Sequence, residues 1–127
     1  MTGGAPAPRL LAAVALGGAL GALARWGLTS AFPSDGDAFP WATFAINVVG
    51  SFALAMLPVL AVVRRRRVLA AALGPGLLGG FTTLSAYSEQ TRALLDHGRT
   101  GTAAIYLVGT LAACLVAVYA ADRLVER

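Results

Sequence analysis

Residues 76–87, GLLGGFTTLSAY, interrupt an apolar part of the chain with three glycines and four hydroxyl side chains. Just upstream, Pro75 lies between two glycines, where a regular helix is loosened or kinked. Within a membrane, non-helical backbone is tolerated only where it is buried in protein or lines a wet cavity. One interpretation is a passive kink packed against neighbouring helices. The density of polar groups favours the other, a broken helix whose carbonyls, hydroxyls and amides handle ions.

The composition around this stretch is that of a membrane protein. Of the 127 residues, 57% are hydrophobic and 13% are charged, whereas a soluble domain carries about 25% charged residues. Four segments reach the roughly 20 residues that cross a bilayer core, at about residues 10–30, 41–63, 68–88 and 102–121. We therefore predict an all-α membrane protein, a single four-helix transmembrane domain over residues 1–127 whose third helix is broken near its middle.

The first segment has a rival interpretation. Arg9 followed by an apolar run that ends in Ala22-Leu23-Ala24 resembles a secretory signal peptide. The run also contains Gly17-xxx-Gly21, a helix-packing motif that a discarded peptide does not need. This motif favours a retained transmembrane helix.

Arginines provide all the basic charge, because the chain has no lysine. They flank apolar runs and do not line a polar face with aromatic residues between them, so nucleic acid is not the expected partner. With four helices, one side of the membrane carries seven arginines and the other carries two, namely Arg9, Arg64–Arg67, Arg123 and Arg127 against Arg92 and Arg99. This bias predicts a multi-pass protein of the inner (plasma) membrane with both termini in the cytoplasm.

Several functional classes lack their required residues. The sequence shows no Ser/His/Asp set, no metal-ligand cluster and no phosphate-cradling loop, so we do not expect an enzyme. No Asp, Glu or His lies well inside a predicted helix, since Glu89 and His97 fall at or beyond the end of the third. Proton-coupled transporters usually need such a group in the membrane. The single cysteine, Cys114, excludes an internal disulfide.

Polar residues recur at helical spacing in two of the predicted helices. Hydroxyls and thiols of such stripes are often bonded back to their own helix, but Asn47 has donors and an acceptor that its helix cannot all satisfy. Interhelical hydrogen bonding and ion binding are about equally expected for it. The stripes are Thr43-Asn47-Ser51 and Tyr106-Thr110-Cys114. Arg25 is the only charge within the first span. Its side chain either reaches the membrane–water interface or forms an electropositive wall of a vestibule that attracts anions.

Three motifs together resemble the Fluc/CrcB family of fluoride ion channels over nearly the whole chain. They are Gly17-Gly18-xx-Gly21-xxx-Arg25, Thr43-xxx-Asn47-xx-Gly50-Ser51-Phe52 and Gly79-Gly80-Phe81-Thr82-Thr83-Leu84-Ser85. The resemblance implies an antiparallel, dual-topology-type dimer with two pores at the subunit interface. It also implies a structural sodium ion at the dimer centre, held by the backbone carbonyls of Gly79 and Thr82.

The resemblance further implies a fluoride pathway. By position, its residues are Asn47, Thr83, Ser85, Leu84, Tyr87, Tyr106, Thr110 and Arg25, with Cys114 where a serine is more usual. Leu84 and Tyr87 replace the two phenylalanines whose ring edges meet fluoride in the family, and Gln90 stands where a glutamate is common. A leucine offers no positive ring edge to an anion. The pore that depends on it is expected to be weakened or silent.

These features predict a passive, fluoride-selective channel that exports cytoplasmic fluoride and so confers fluoride resistance. A homodimer of antiparallel subunits should show little arginine bias, so the bias indicates one half of a heterodimeric pair, with the homodimer as the alternative. Two alternative functions make different demands on the sequence. A small multidrug-type exporter would need a glutamate in its first helix, and none is present. A structural partner subunit with a silent pore would be consistent with Leu84, which offers no ring edge to fluoride.

Overall fold

The computed structural model describes residues 6–126. Residues 1–5 and 127 of the predicted domain lie outside this part, and with them Arg127 of the arginine count. The described residues form seven α-helices and no strand: α1 (Pro8–Ala31), α2 (Trp41–Met56), α3 (Ala61–Arg65), α4 (Arg67–Ala71), α5 (Gly79–Phe81), α6 (Leu84–Asp96) and α7 (Thr100–Val125).

Four helical stretches are long and apolar enough to cross a membrane: Pro8–Ala31, Trp41–Val59, Arg67–Asp96 and Thr100–Val125. This confirms the all-α class and the four transmembrane helices. The chain is a multi-pass membrane protein.

The second span ends earlier than the predicted boundary at about residue 63. Helix α2 stops at Met56, and a 3-10 turn over Leu57–Val59 leads to the extended residue Leu60. Pro58 lies in this turn, and because it has no N–H, it cannot continue the hydrogen-bond ladder of the helix. Residues Ala61–Arg65 form the separate short helix α3.

The third span is broken near its middle, as predicted, but the glycines are not where it breaks. Pro75 lies within a π-helical segment over Ala72–Leu78, and Gly79 has helical dihedral angles. The chain becomes extended at Thr82 (ψ 155°) and Thr83 (ψ 122°), between α5 and α6. The break therefore lies two residues after the glycine pair, at the threonines.

The third span is also longer than predicted. It runs to Asp96, so Glu89 lies within α6 and not at or beyond the helix end. At the rise of an α-helix, the 30 residues of this span would measure about 45 Å, which exceeds the hydrocarbon core of about 30 Å. Glu89 is exposed and forms an ion pair with Arg92 at 2.6 Å. We place this extension of α6 outside the hydrocarbon core.

The glycines instead allow α1 to lie directly against the third span. Gly17 and Gly21 are buried, and a Cβ atom at either position would overlap a backbone carbonyl oxygen, that of Ala72 or of Leu77. A Cβ atom at Gly80 would likewise overlap the carbonyl of Gly18. Such backbone contact between helices requires small residues. The predicted glycine motif of α1 is thus a packing surface.

Five aromatic side chains gather at one end of the bundle: Phe39, Trp41, Phe44, Tyr87 and Tyr106. Tyr106 and Leu94 are fully buried there, and Phe39, from the connection between α1 and α2, packs edge-on against Tyr106 with ring centroids 5.3 Å apart. Gly98 closes the turn between α6 and α7 with a φ of 70°, a conformation that favours glycine. This packing fixes α6 and α7 side by side below the break.

Candidate ion-conducting groove

The amide of Asn47 holds the break in the third span. Asn47 Nδ2 donates to the carbonyl oxygen of Thr83 at 3.0 Å, and the N–H of Thr83 donates to Asn47 Oδ1 at 2.9 Å. Both backbone groups of one extended residue are thereby satisfied by one side chain of α2. Gly50 lies one turn further along α2, where a Cβ atom would overlap the methyl group of Thr82. The glycine lets the break approach α2 closely enough for Asn47 to reach it.

Two carbonyls of the third span lose their usual donors at the break. In a continuous helix the N–H of Thr83 would donate to the carbonyl of Gly79, and that of Ala86 to the carbonyl of Thr82. The N–H of Thr83 donates to Asn47 instead, and the N–H of Ala86 donates to Thr83 Oγ1 at 3.1 Å. The carbonyls of Gly79 and Thr82 are the two for which the family resemblance implies a sodium ion.

The hydroxyls near the break have different hydrogen-bond partners. Thr82 Oγ1 donates back to the carbonyl of Leu78 at 2.9 Å, so its proton is used within its own helix. Thr83 caps α6 by accepting from Ala86, and its hydroxyl lies 3.2 Å from that of Ser85. Because an acceptor role leaves the hydroxyl proton free, Thr83 and Ser85 together retain a donor for another ligand.

A groove of about 270 Å³ runs beside the break, between α2, the third span and α7. The hydroxyl of Thr110 is buried and has no hydrogen-bond partner among the described residues. Leu84 is 76% exposed at the opening of the groove. The lining residues are Asn47, Gly50, Ser51, Leu54, Thr82, Thr83, Leu84, Tyr87, Thr110, Leu111 and Cys114. The groove thus offers amide and hydroxyl groups along one wall.

The groove brings together five of the eight predicted pathway residues, Asn47, Thr83, Leu84, Tyr87 and Thr110. Arg25, Ser85 and Tyr106 lie outside its lining. The Nε atom of Arg25 donates to the carbonyl of Gly80 at 3.2 Å, which ties α1 to the third span. The roles of these three residues in conduction stay predictions.

Sequence reasoning missed apolar parts of this lining. Leu54 and Leu111 face the groove, although neither carries a polar signal that would single it out. Ser51 and Gly50 do lie in the second-helix motif and could have been chosen from it. The hydroxyl of Tyr87 donates to the carbonyl of Leu107, so this residue is anchored to α7.

A buried hydrogen-bonded chain links three spans next to the groove. The hydroxyl of Tyr106 donates to Gln90 Oε1 at 2.8 Å, and Gln90 Nε2 donates to Thr43 Oγ1 at 3.0 Å. Tyr106 and Thr43 are 0% and 1% exposed. Gln90 serves as acceptor at one end and donor at the other, which fixes α6 between α2 and α7.

Replacing Tyr106 by phenylalanine is expected to destabilise the protein by about 1–3 kcal/mol, since the Gln90 carbonyl loses its donor in a buried site. Thermal unfolding of the purified protein in detergent measures this loss. Tyr119→Phe is the matched control on the same helix, because the Tyr119 side chain is 59% exposed and its hydroxyl only accepts from Arg123. Equal unfolding temperatures for the two variants would show that the chain of hydrogen bonds contributes nothing.

Comparison with known proteins identifies the family. The family model described as CrcB-like protein, Camphor Resistance (CrcB), matches residues 12–121. Fluoride-specific ion channel FluC 2 of Nocardia farcinica is 44% identical over 113 residues, which cover 87% of this chain and 81% of the relative. FluC 1 of Mycobacterium tuberculosis is 44% identical over 124 residues, covering 94% of this chain and 92% of the relative. The chain belongs to the CrcB family of membrane ion channels, which are not enzymes.

Proposed function

We propose that this protein is a passive, fluoride-selective channel that exports cytoplasmic fluoride. The curated relatives that cover most of the chain are named fluoride-specific ion channels. The observation that carries the proposal is the wall of the groove, which is lined by Asn47 and by Thr110, whose buried hydroxyl has no partner among the described residues. Unused donors in a membrane-embedded groove suit an anion that has lost its water.

Selectivity follows from how closely these donors are placed. A primary amide has two N–H groups, and one of those of Asn47 is used by the Thr83 carbonyl. The second N–H remains for the ion, together with the one hydroxyl proton that the Thr83–Ser85 pair leaves free and the hydroxyl proton of Thr110. Fluoride is small and strongly hydrated, so replacing its water requires close donors. Larger chloride would be excluded by size and fit.

The proposed conduction needs no proton exchange. Among the described residues, those that line the groove include no aspartate, glutamate or histidine. Fluoride that is trapped in the cytoplasm as the dissociated form of HF can leave down its own gradient. A small multidrug-type exporter, which uses a membrane glutamate, is therefore not favoured.

We propose that a second, antiparallel homologous subunit completes the pathway. The groove is open beside Leu84, whose side chain is 76% exposed, and a fluoride path needs donors on every side. The arginine bias favours a fixed orientation with both termini in the cytoplasm, and hence a heterodimeric pair whose partner supplies phenylalanines where this chain has Leu84 and Tyr87. Labelling from outside the cell of a single cysteine placed at Asp35 or Gly98, in a chain whose Cys114 is replaced by serine, tests the orientation.

We further propose that the carbonyls of Gly79 and Thr82 hold a structural sodium ion at the centre of the dimer. The N–H groups that would bond to these carbonyls in a continuous helix, those of Thr83 and Ala86, donate to side chains instead. Oxygen ligands of this kind suit a hard cation. The described residues contain no cluster of three or more His, Cys, Asp or Glu side chains, so such an ion would need backbone oxygens. The ion would supply positive charge between the two pores. Equal thermal stability in sodium and in N-methylglucamine buffers would contradict this proposal.

Fluoride-electrode recordings of efflux from liposomes test the proposed channel. Vesicles would hold this chain alone, or this chain together with an oppositely oriented homologue from the same cell. We expect fluoride efflux that is unchanged by a proton gradient and larger with the pair. Flux driven by protons would favour the exporter, and no flux in either preparation would favour a silent structural subunit. Equal flux from the chain alone would contradict the heterodimer while leaving the channel intact.

A further inference from the structure

A second groove lies at the other end of the second and third spans, where α2 gives way to α3 and α4. It measures about 360 Å³. Its lining is mostly apolar and includes Leu54, Leu57, Pro58, Val63 and Ala70. Two arginines, Arg64 and Arg67, also line it. This groove combines a hydrocarbon-like surface with two guanidinium groups, and ion conduction gives it no role.

The arginines at this groove are free to bind a ligand. All four residues of Arg64–Arg67 are exposed. None of them forms a hydrogen bond or an ion pair through its side chain with another residue in the range 6–126. Four adjacent positive charges repel one another, so an anion between them would be stabilised.

The local backbone selects two of the four arginines for the groove. Arg64 belongs to α3 and Arg67 begins α4, while Arg66 between the helices is extended, with φ −121° and ψ 98°. As a result Arg64 and Arg67 line the groove and Arg65 and Arg66 do not. A simple basic run that serves only as a topology signal requires no such selection, because that signal depends on the number of charges.

We propose that this groove is a binding site for an anionic phospholipid of the surrounding bilayer. Arg64 and Arg67 contact the lipid phosphate, and one acyl chain lies along Leu57, Val63 and Ala70. Basic pockets at the ends of transmembrane helices bind anionic head groups through such contacts, and arginine binds phosphate in a bidentate manner. The apolar lining favours a lipid over a free phosphate, which has no chain to place there.

Native mass spectrometry of the purified, dimer-sized protein tests this proposal. The probe is dioleoylphosphatidylglycerol, in competition with dioleoylphosphatidylcholine, and the readout is the fraction of protein that carries each lipid. We expect the anionic lipid to be preferred by the unmodified protein. The variant Arg64→Gln/Arg67→Gln should lose this preference roughly 30-fold, at about fivefold per arginine.

The matched control is Arg65→Gln/Arg66→Gln, which removes the same charge from the same four-residue run. We expect its preference to fall much less than that of Arg64→Gln/Arg67→Gln, because neither side chain lines the groove. Equal losses in the two variants would overturn the site and leave only non-specific attraction. A dimer without anionic-lipid preference would also overturn it. Glycerol 3-phosphate that competes as well as the lipid would contradict the role of the acyl chain.

Should the double variant fail to fold, the single variants Arg64→Gln and Arg65→Gln provide the same comparison. Arg64→Gln is expected to lose about fivefold and Arg65→Gln to stay near the unmodified protein. Equal effects of the two would again overturn the proposal. None of these measurements depends on fluoride flux, so the lipid site and the channel can fail separately.

Discussion

Replacing Asn47 by alanine is expected to reduce fluoride efflux by at least about 30-fold. The substitution leaves the N–H and the C=O of Thr83 without the partners that they have at 2.9 and 3.0 Å. An unsatisfied buried polar group costs about 1–3 kcal/mol, and two such groups cost at least about 2 kcal/mol. At about 1.4 kcal/mol per factor of ten, this accounts for the expected loss if the break can no longer hold its conducting geometry. The substitution also removes the second N–H of Asn47, which would otherwise donate to the ion.

The measurement is efflux from liposomes with equal amounts of reconstituted protein, together with thermal unfolding in detergent. Thr29→Ala is the control, because the hydroxyl of Thr29 bonds only to carbonyls of its own helix, at 3.0 and 3.2 Å. Its flux should match that of the unmodified protein. Flux from the pair that is unchanged by Asn47→Ala would contradict the role of Asn47 in the pathway and would support a silent structural subunit.

The second large effect is expected from Gly21→Ala in α1. The added methyl group would overlap the carbonyl of Leu77, and it would also approach the backbone nitrogen of Phe81 within 2.8 Å. Backbone atoms cannot move aside as a flexible side chain can, so α1 and the third span must separate. Overpacking of this kind costs about 1–3 kcal/mol and sometimes more. Because the same interface positions the break, we expect little folded protein to be recovered.

Gly27→Ala is the matched control, since it makes the same change in the same helix. No atom lies within 4 Å of a Cβ at Gly27, and alanine has a higher helix propensity than glycine by about 1 kcal/mol. This variant should be as stable as the unmodified protein or more so. The readout is the yield of monodisperse protein by size-exclusion chromatography and its unfolding temperature. A Gly21→Ala protein that is recovered and unfolds like Gly27→Ala would show that α1 does not pack as described.

The sequence predicted the features that depend on local composition. Four apolar runs of sufficient length correspond to the four membrane-crossing helices. Crossing a bilayer requires length and hydrophobicity, and both can be read from a local window of the sequence. The glycines and threonines of residues 74–83 likewise indicated that the third helix cannot be regular. Asn47 was singled out because an amide in a membrane needs a partner.

The partners themselves could not be predicted. The glycines indicated an irregular helix, yet Gly79 is helical and the extended residues are Thr82 and Thr83. Glycine permits a break but does not require one, and here Gly80 is needed for contact with the backbone of Gly18. The end of the third helix was also missed, because a polar helix that continues beyond the hydrocarbon core lacks the apolar signal used to find it.

The sequence by itself thus determined the class of fold, the number of spans and the residues that must find polar partners in the membrane. Only the tertiary structure decided that Asn47 binds Thr83, 36 residues away, that Arg25 binds Gly80 and that Gln90 joins Tyr106 to Thr43. The physical reason is that such hydrogen bonds depend on the depth and rotation of each helix relative to its neighbours. Those quantities are set by close backbone packing at Gly17, Gly21 and Gly80, between segments distant in the chain.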